Sequence, residues 1–299
     1  MIPAQFEYVR PSSLDEAVAA LAEAGEDAKV LAGGQSLMPL LRLRLAYPDA
    51  LVDLDRVDAL REIRDEGDAL VIGAMATHHQ VFRDPLVNEH APLIVEATAT
   101  VADPAVRHRG TFGGSMAHAD PAADLPAVAT ALDAVFLARS VRGERAIPAA
   151  EFFVDWMTSA LEPDELLTGV RVPKLGPGWG VHYEKFRRTA QAWSIIGVAC
   201  ALRRDDGAVA EARIGLTNMG PVPVRAAAAE EAIRGRPASA EAFRAAADTA
   251  AEGTAPPADL HGSAEYREHL ARVLTARAMA AAAAVPREGA VWRRGGRRS

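Results

Sequence analysis

Cysteine is almost missing from this chain, and its scarcity excludes two classes of architecture. Of 299 residues only Cys200 is a cysteine, inside the apolar run "IIGVACAL", so neither an internal disulfide nor a cysteine-held metal cluster can form from this chain alone. A buried, inert thiol is the expected fate of Cys200. No uninterrupted apolar run reaches bilayer-spanning length, so no membrane span is expected. Basic clusters are missing too, apart from "RRGGRR" at Arg293 to Arg298. With a net charge of -7, this argues against a nucleic-acid partner. The opening "MIPAQFEYVRPSSLDEA" has no basic stretch leading into an apolar one, which makes the cytoplasm the expected location. What is there is an ordinary globular composition, 49% hydrophobic and 24% charged, in a chain long enough for two domains.

Ser13-Leu14-Asp15-Glu16 has the form of a capping box, with Val18 and Leu21 on one face and Gly25 as a stop, and predicts a first helix. "KVLA", "ALVDL" (50–54) and "ALVIGAMA" (69–76) read as strands, with a short helix or turn at "LMPLLRLRLA". "PLVNEHAPLIVEATATVA" and "DLPAVATALDA" read as helices, and "AVFLA" and "ELLTGVRVP" as further strands. Glycine and proline crowd into "PKLGPGWG" (173–180), which places a domain boundary at 176/177. Beyond it, "VHYEKFRR", "SIIGVACALRR" and "VAEARIGLTNM" read as three strands, followed by three alanine-rich helices up to Val285. Residues 287–299 read as a disordered basic tail.

The chemistry-bearing signal is a pair of glycine turns. "AGGQS" (32–36) follows the first apolar strand, and "TFGGS" (111–115) repeats the theme downstream. Paired glycines bring backbone N–H groups close to a ligand, the arrangement that a pyrophosphate needs. Two such turns point to a ligand with two adjacent phosphates, held between two lobes. No G-x-G-x-x-G follows the first strand and no parallel β-α-β spacing extends from it, which argues against a Rossmann domain. Asp53 reads as a strand-end carboxylate. Asp124, at the start of an apolar helix, reads equally as a helix cap or as an acceptor for a ribose hydroxyl. His78, His79 and His118 lack the carboxylates and spacing of a metal site and read as surface or cap residues.

"KVLAGGQSLMPLLRLRLAYPDALVDL" and "TFGGSMAHADPAADLPAVATALDA" together resemble the FAD-binding medium subunit of the molybdenum hydroxylases, the family of carbon monoxide dehydrogenase and xanthine dehydrogenase. The resemblance continues through "VRVP", "YEKFRR", "SIIGVACAL", "IGLTNMGPVPVRA" and "SAEYREHLARVLTARA". It implies an α+β chain. A two-lobed FAD-binding domain of the vanillyl-alcohol oxidase (PCMH) type would span 1–176, with lobes of about 1–56 and 57–176. A flavoprotein C-terminal domain at 177–286 would combine a three-stranded antiparallel sheet with a helical bundle.

The resemblance also implies a site. Val30, Leu31, Ala32, Gly33, Gly34, Gln35, Ser36 and Leu37 would form the first diphosphate loop, approached by Val101 and Ala102. Thr111, Gly113, Gly114 and Ser115 would form the second. Asp124 would meet ribitol or ribose hydroxyls, Leu167 would pack near the ring system, and Lys185 would lie near its polar edge. On sequence alone Lys185 reads as an exposed strand lysine. Trp193 reads either as a ring neighbour or as a core aromatic, and Ala192 stands where many relatives carry an acidic residue. The implied cofactor of this chain is FAD. A molybdenum cofactor would sit on a large partner subunit and [2Fe-2S] clusters on a small one, in a dimer of heterotrimers. The chain would take electrons from the iron–sulfur partner and pass them to an external acceptor, with no catalytic residue of its own. The rival readings are a stand-alone flavoprotein oxidoreductase of the same fold and a scaffold that has lost its flavin.

Overall fold

The computed structural model describes residues 2–284. The disordered basic tail expected at 287–299 lies outside them. The chain opens with β1 (Glu7–Val9), α1 (Leu14–Ala24), β2 (Lys29–Leu31), α2 (Leu37–Leu43) and β3 (Ala50–Asp53), and the three strands form one sheet in the order β1-β3-β2. Ser13 caps α1 by accepting from the Glu16 amide, while the Glu16 carboxylate accepts from the Ser12 amide rather than from Ser13, so only half of the expected capping box forms. Every pairing in this sheet is parallel, so a parallel β-α-β unit does extend from the glycine turn, contrary to the sequence reading. Strands of three or four residues carry too little periodicity to reveal their direction.

Two 3-10 turns lead to β4 (Ile63–Asp65) and β5 (Ala69–Gly73), and then to a run of short helices: α3 (His78–Arg83), α4 (Pro85–His90), α5 (Pro92–Thr100), α6 (Pro104–Arg107), α7 (Phe112–His118) and α8 (Asp124–Ala131). The single helix read over 85–102 is two, because Pro92 cannot continue the ladder of α4 and instead opens α5. After β6 (Val135–Ser140), β7 (Gly143–Pro148), α9 (Ala149–Phe152) and the hairpin β8 (Phe153–Asp155) and β9 (Thr158–Ser159), β10 (Leu166–Pro173) returns to the centre of a five-stranded antiparallel sheet, ordered β4-β5-β10-β6-β7.

The C-terminal part contains β11 (Trp179–Phe186), β12 (Ile196–Asp205), β13 (Ala208–Thr217), β14 (Val224–Arg225), α10 (Ala227–Ile233), α11 (Ala240–Ala247) and α12 (Ala264–Ala284). Its sheet has four strands, not the expected three, since two residues of "VPVR" add an edge strand against β13. β12 is a continuous apolar run because both faces are covered. Val198, Cys200 and Leu202 join the core under α10–α12, while Ala199 and Ala201 join the core of the preceding domain. Gly215 lets α8 lie directly on β13, since a Cβ there would collide with the Ala127 carbonyl. This shared packing brings β11 and the loop before β12 up to the glycine turns.

Candidate functional site

A cavity of about 490 Å³ opens where the three sheets converge, a size typical of cofactor sites. It is lined by all the residues expected to hold a cofactor except Leu31. Lys29, Val30 and Ala32 line the cavity, and Leu31 between them does not.

The two glycine turns meet. A Cβ on Gly33 would collide with the carbonyl oxygen of Arg109 and lie 2.7 Å from the Gly110 Cα, so the first turn can touch the approach to the second only as bare backbone. Gly34 adopts φ +71°, which glycine takes without strain. The amides of Gly33, Gly34, Gln35 and Ser36 have no acceptor among the described residues. Adjacent spare N–H donors form an anion-binding concavity.

The second turn differs from the sequence expectation. Its donors are already used: Phe112 N–H donates to Ala76, Gly113 N–H to Ala74, Gly114 N–H to the Thr111 hydroxyl and Ser115 N–H to the Thr111 carbonyl. Thr111 is the N-cap of α7. Gly113 is required by packing, because a Cβ would meet the Ala74 backbone at 2.5 Å. Sequence shows two alike turns, whereas the fold makes one a set of free donors and the other a self-capped helix start.

Asp124 and Lys185 form a buried ion pair at 2.7 Å, each side chain 5% exposed. Asp124 also accepts from the Tyr183 hydroxyl at 2.7 Å and from Ser194 Oγ at 2.6 Å, and Lys185 donates to the Thr100 carbonyl at 3.2 Å. The sequence left Asp124 open between a cap and a ribose contact. In the structure it is the first residue of α8, and its hydrogen bonds run to side chains of the C-terminal domain. Lys185 is no exposed strand lysine. Burial holds the Tyr183 phenol well above its ordinary range, so it stays a donor. Gly197 makes room for it, since a Cβ there would lie 3.1 Å from Tyr183 Cζ. Neither Tyr183 nor Ser194 was legible as a site residue, because no local pattern links them to Asp124.

Trp193 is 59% exposed on the cavity wall, which rules out the core-aromatic reading. Ala192 and Gln191 line the cavity beside it, and Gln191 bonds Asp103 across the rim at 2.9 Å. Leu167 reaches the wall next to a β-bulge between Leu167 and Gly169, a device that re-aims side chains near sites. Glu165, unforeseen, also lines the wall. Two 2.7 Å bonds from Arg145 hold its carboxyl below the usual range. His79 stacks on His108 at 3.9 Å, His118 lines the cavity, and no three-residue metal-ligating group exists among the described residues.

Residues 4–175 match the family described as the FAD binding domain in molybdopterin dehydrogenase, and residues 181–282 match the CO dehydrogenase flavoprotein C-terminal domain. The chain belongs to this family of flavoprotein medium subunits. It is 41% identical to the carbon monoxide dehydrogenase medium chain of Hydrogenophaga pseudoflava, over 94% of this chain and 98% of that one. It is 40% identical to the alpha subunit of the 6-hydroxypseudooxynicotine dehydrogenase complex of Paenarthrobacter nicotinovorans, over 94% of this chain and 96% of that one. The solved carbon monoxide dehydrogenase of H. pseudoflava that lacks the Mo-pyranopterin moiety superposes with a TM-score of 0.92 at 44% identity, over 95% of this chain and 99% of that one. Two relatives with different substrates in their names are almost equally similar, so the medium subunit does not report the substrate.

The donor set of this medium subunit fits FAD, the cofactor of its family: spare amides for a diphosphate, and apolar walls ending at a buried lysine. His78, which sequence placed at the surface or a cap, is 5% exposed and lines the same cavity. Burial lowers its pKa to about 4, and its Nδ1 has no partner. In the unfolded chain the imidazole titrates near 6.5, so the unfolded state binds more protons between these values. Stability therefore falls as pH drops from 6.5 toward 4, by about 3 kcal/mol at the acid end from this residue. Urea unfolding at pH 7 and pH 5 is expected to show a smaller loss in His78→Gln than in the wild type, and equal losses would refute the assignment.

Proposed function

We propose that this chain is the electron-transfer subunit of a molybdenum-dependent hydroxylase, taking electrons from an iron–sulfur partner and passing them through FAD to an external acceptor. The observation that carries the reading is the cavity's two poles: four spare amides at Gly33–Ser36 and the buried Lys185. The amides suit the diphosphate. The lysine suits the polar edge of a flavin, where a cation stabilises negative charge on the reduced ring. When bound, FAD supplies the redox chemistry, storing two electrons and releasing them to an acceptor.

This chain's own residues bind and orient. Thr111, Gly113, Gly114 and Ser115 form the second wall of the diphosphate site, Val101 and Ala102 line its approach, and Leu167 and Trp193 flank the ring. Asp124 orients Lys185 and offers its carboxylate to the ribityl or ribose hydroxyls. In this reading the FAD-binding domain ends near residue 176. The molybdenum cofactor and [2Fe-2S] clusters reside on a large and a small partner in a dimer of heterotrimers in the cytoplasm.

The test is a visible absorption spectrum of the chain purified alone and with its native partners. Flavin bands in both, joined by iron–sulfur absorption and molybdenum in the second, are expected. A colourless chain would refute FAD binding. Flavin with no co-purifying partner would favour the stand-alone oxidoreductase.

A further inference from the structure

The second glycine turn leaves the donor set of the diphosphate site uneven. The amides of Phe112, Gly113, Gly114 and Ser115 all have acceptors within the fold, and those of Arg109 and Gly110 just before them both donate to the Val106 carbonyl. A diphosphate between the turns therefore meets a side rich in free donors at Gly33–Ser36 and a poorer one opposite. His78 stands on the poorer side. It is the first residue of α3, whose start is fixed by a capping box between Thr77 and Gln80, and its own amide donates to the Gly110 carbonyl at 2.9 Å. Its imidazole edge packs on Gly110 so closely that a Cβ there would lie 2.9 Å from Cδ2 and 3.2 Å from Nε2. Gly110 is also where the first turn closes, its Cα 2.7 Å from the position of a Gly33 Cβ. The ring thus sits where the two turns meet, on the cavity wall.

Neither ring nitrogen of this buried histidine has a hydrogen-bond partner among the described residues. Buried polar groups are normally paired, so an unpaired one on a cavity wall points to a ligand. Nδ1 is fully buried, whereas Nε2 keeps accessible surface on the side toward Gly110. A neutral imidazole carries one N–H, and the tautomer with the proton on Nε2 puts that donor where a ligand can use it. With the proton on Nδ1 the ring would aim a lone pair at an anion instead. Arg107 adds its charge to this corner, close enough to oppose protonation of His78. Its guanidinium donates to the Val101 and Ala102 carbonyls at 2.7 and 3.3 Å and has no carboxylate partner among the described residues. A neutral donor beside an uncompensated cation suits an anionic oxygen.

We propose that His78 is a cofactor-binding residue that donates from Nε2 to a diphosphate oxygen of FAD and so completes the second wall of the diphosphate site. The proposal rests on the FAD-binding reading above. Its test uses the whole complex, purified by a tag on this chain and stripped of flavin. FAD is titrated back, and ADP, the part of the cofactor without ribityl and flavin, is measured by its displacement of FAD. His78→Leu is expected to weaken FAD about tenfold or more, the size of a lost hydrogen bond to a charged group, and to weaken ADP in the same ratio. Leucine also removes the unpartnered Nδ1, so urea unfolding of the flavin-free chain at pH 7 is expected to show no loss of stability. His78→Gln, whose side-chain amide can donate, is expected to restore most of the affinity. His79→Leu, off the cavity wall, is expected to match the wild type.

Unchanged FAD affinity in His78→Leu would overturn the assignment and leave FAD binding standing. Equal losses in His78→Leu and His78→Gln would make His78 a packing residue and overturn it as a donor. Weakened FAD with ADP unaffected would move the contact to the ribityl or flavin part and overturn the diphosphate assignment. A wild-type complex that holds no flavin would overturn the FAD-binding reading and this proposal together.

Discussion

Asp124→Ala is expected to lower folding stability by about 3–5 kcal/mol, the range found when one partner of a buried ion pair is removed. The cost comes from what is left behind. Lys185, 5% exposed, would keep its charge next to only the Thr100 carbonyl, and the hydroxyls of Tyr183 and Ser194 would lose their shared acceptor. Urea unfolding measures the loss. The double variant Asp124→Ala/Lys185→Met removes the stranded charge and is expected to recover most of the stability but not the flavin, since both residues line the cavity. A double variant as unstable as Asp124→Ala would show that the unpaired lysine is not the source of the cost.

Gly33→Val is expected to abolish flavin binding, with FAD content falling at least about tenfold, and to cost about 1–3 kcal/mol of stability through overpacking. The obstacle is the backbone of Arg109 and Gly110, which cannot rotate aside as a flexible side chain would. The two turns must separate, and the spare amides of Gly33–Ser36 move with the first of them. Gly176→Ala is the control, because nothing lies within 4 Å of a Cβ at that position. Flavin quantitation and circular dichroism check both variants. Full FAD retention in Gly33→Val would refute the role assigned to the first turn.

Much of the fold was legible because local signals were strong. The N-cap at Ser13, the apolar runs of β5, β10 and β12 and the alanine-rich C-terminal helices all form where composition and periodicity place them. Short elements escaped. β1, β7 and the edge strand β14 are held by neighbours distant in sequence and carry no periodicity of their own. Side-chain roles escaped for a similar reason. Whether Lys185 is exposed or buried depends on the helices packed over β11, and the buried His78 ring packs where a Cβ on Gly110, 32 positions away, would collide with it.

Sequence alone determined that this chain holds no disulfide or cysteine-held cluster, where its glycine turns fall and, through their resemblance to a family, which cofactor they serve. These properties are local: they depend on which residues are present and on spacings of a few positions. Only the tertiary structure decided that the first turn keeps its donors free while the second consumes its own, and that Asp124 meets Lys185 across 61 positions of chain. Burial and choice of partner are settled by long-range packing, where a desolvated charge must find its counter-charge or cost several kcal/mol, and no short stretch of sequence records which one it finds.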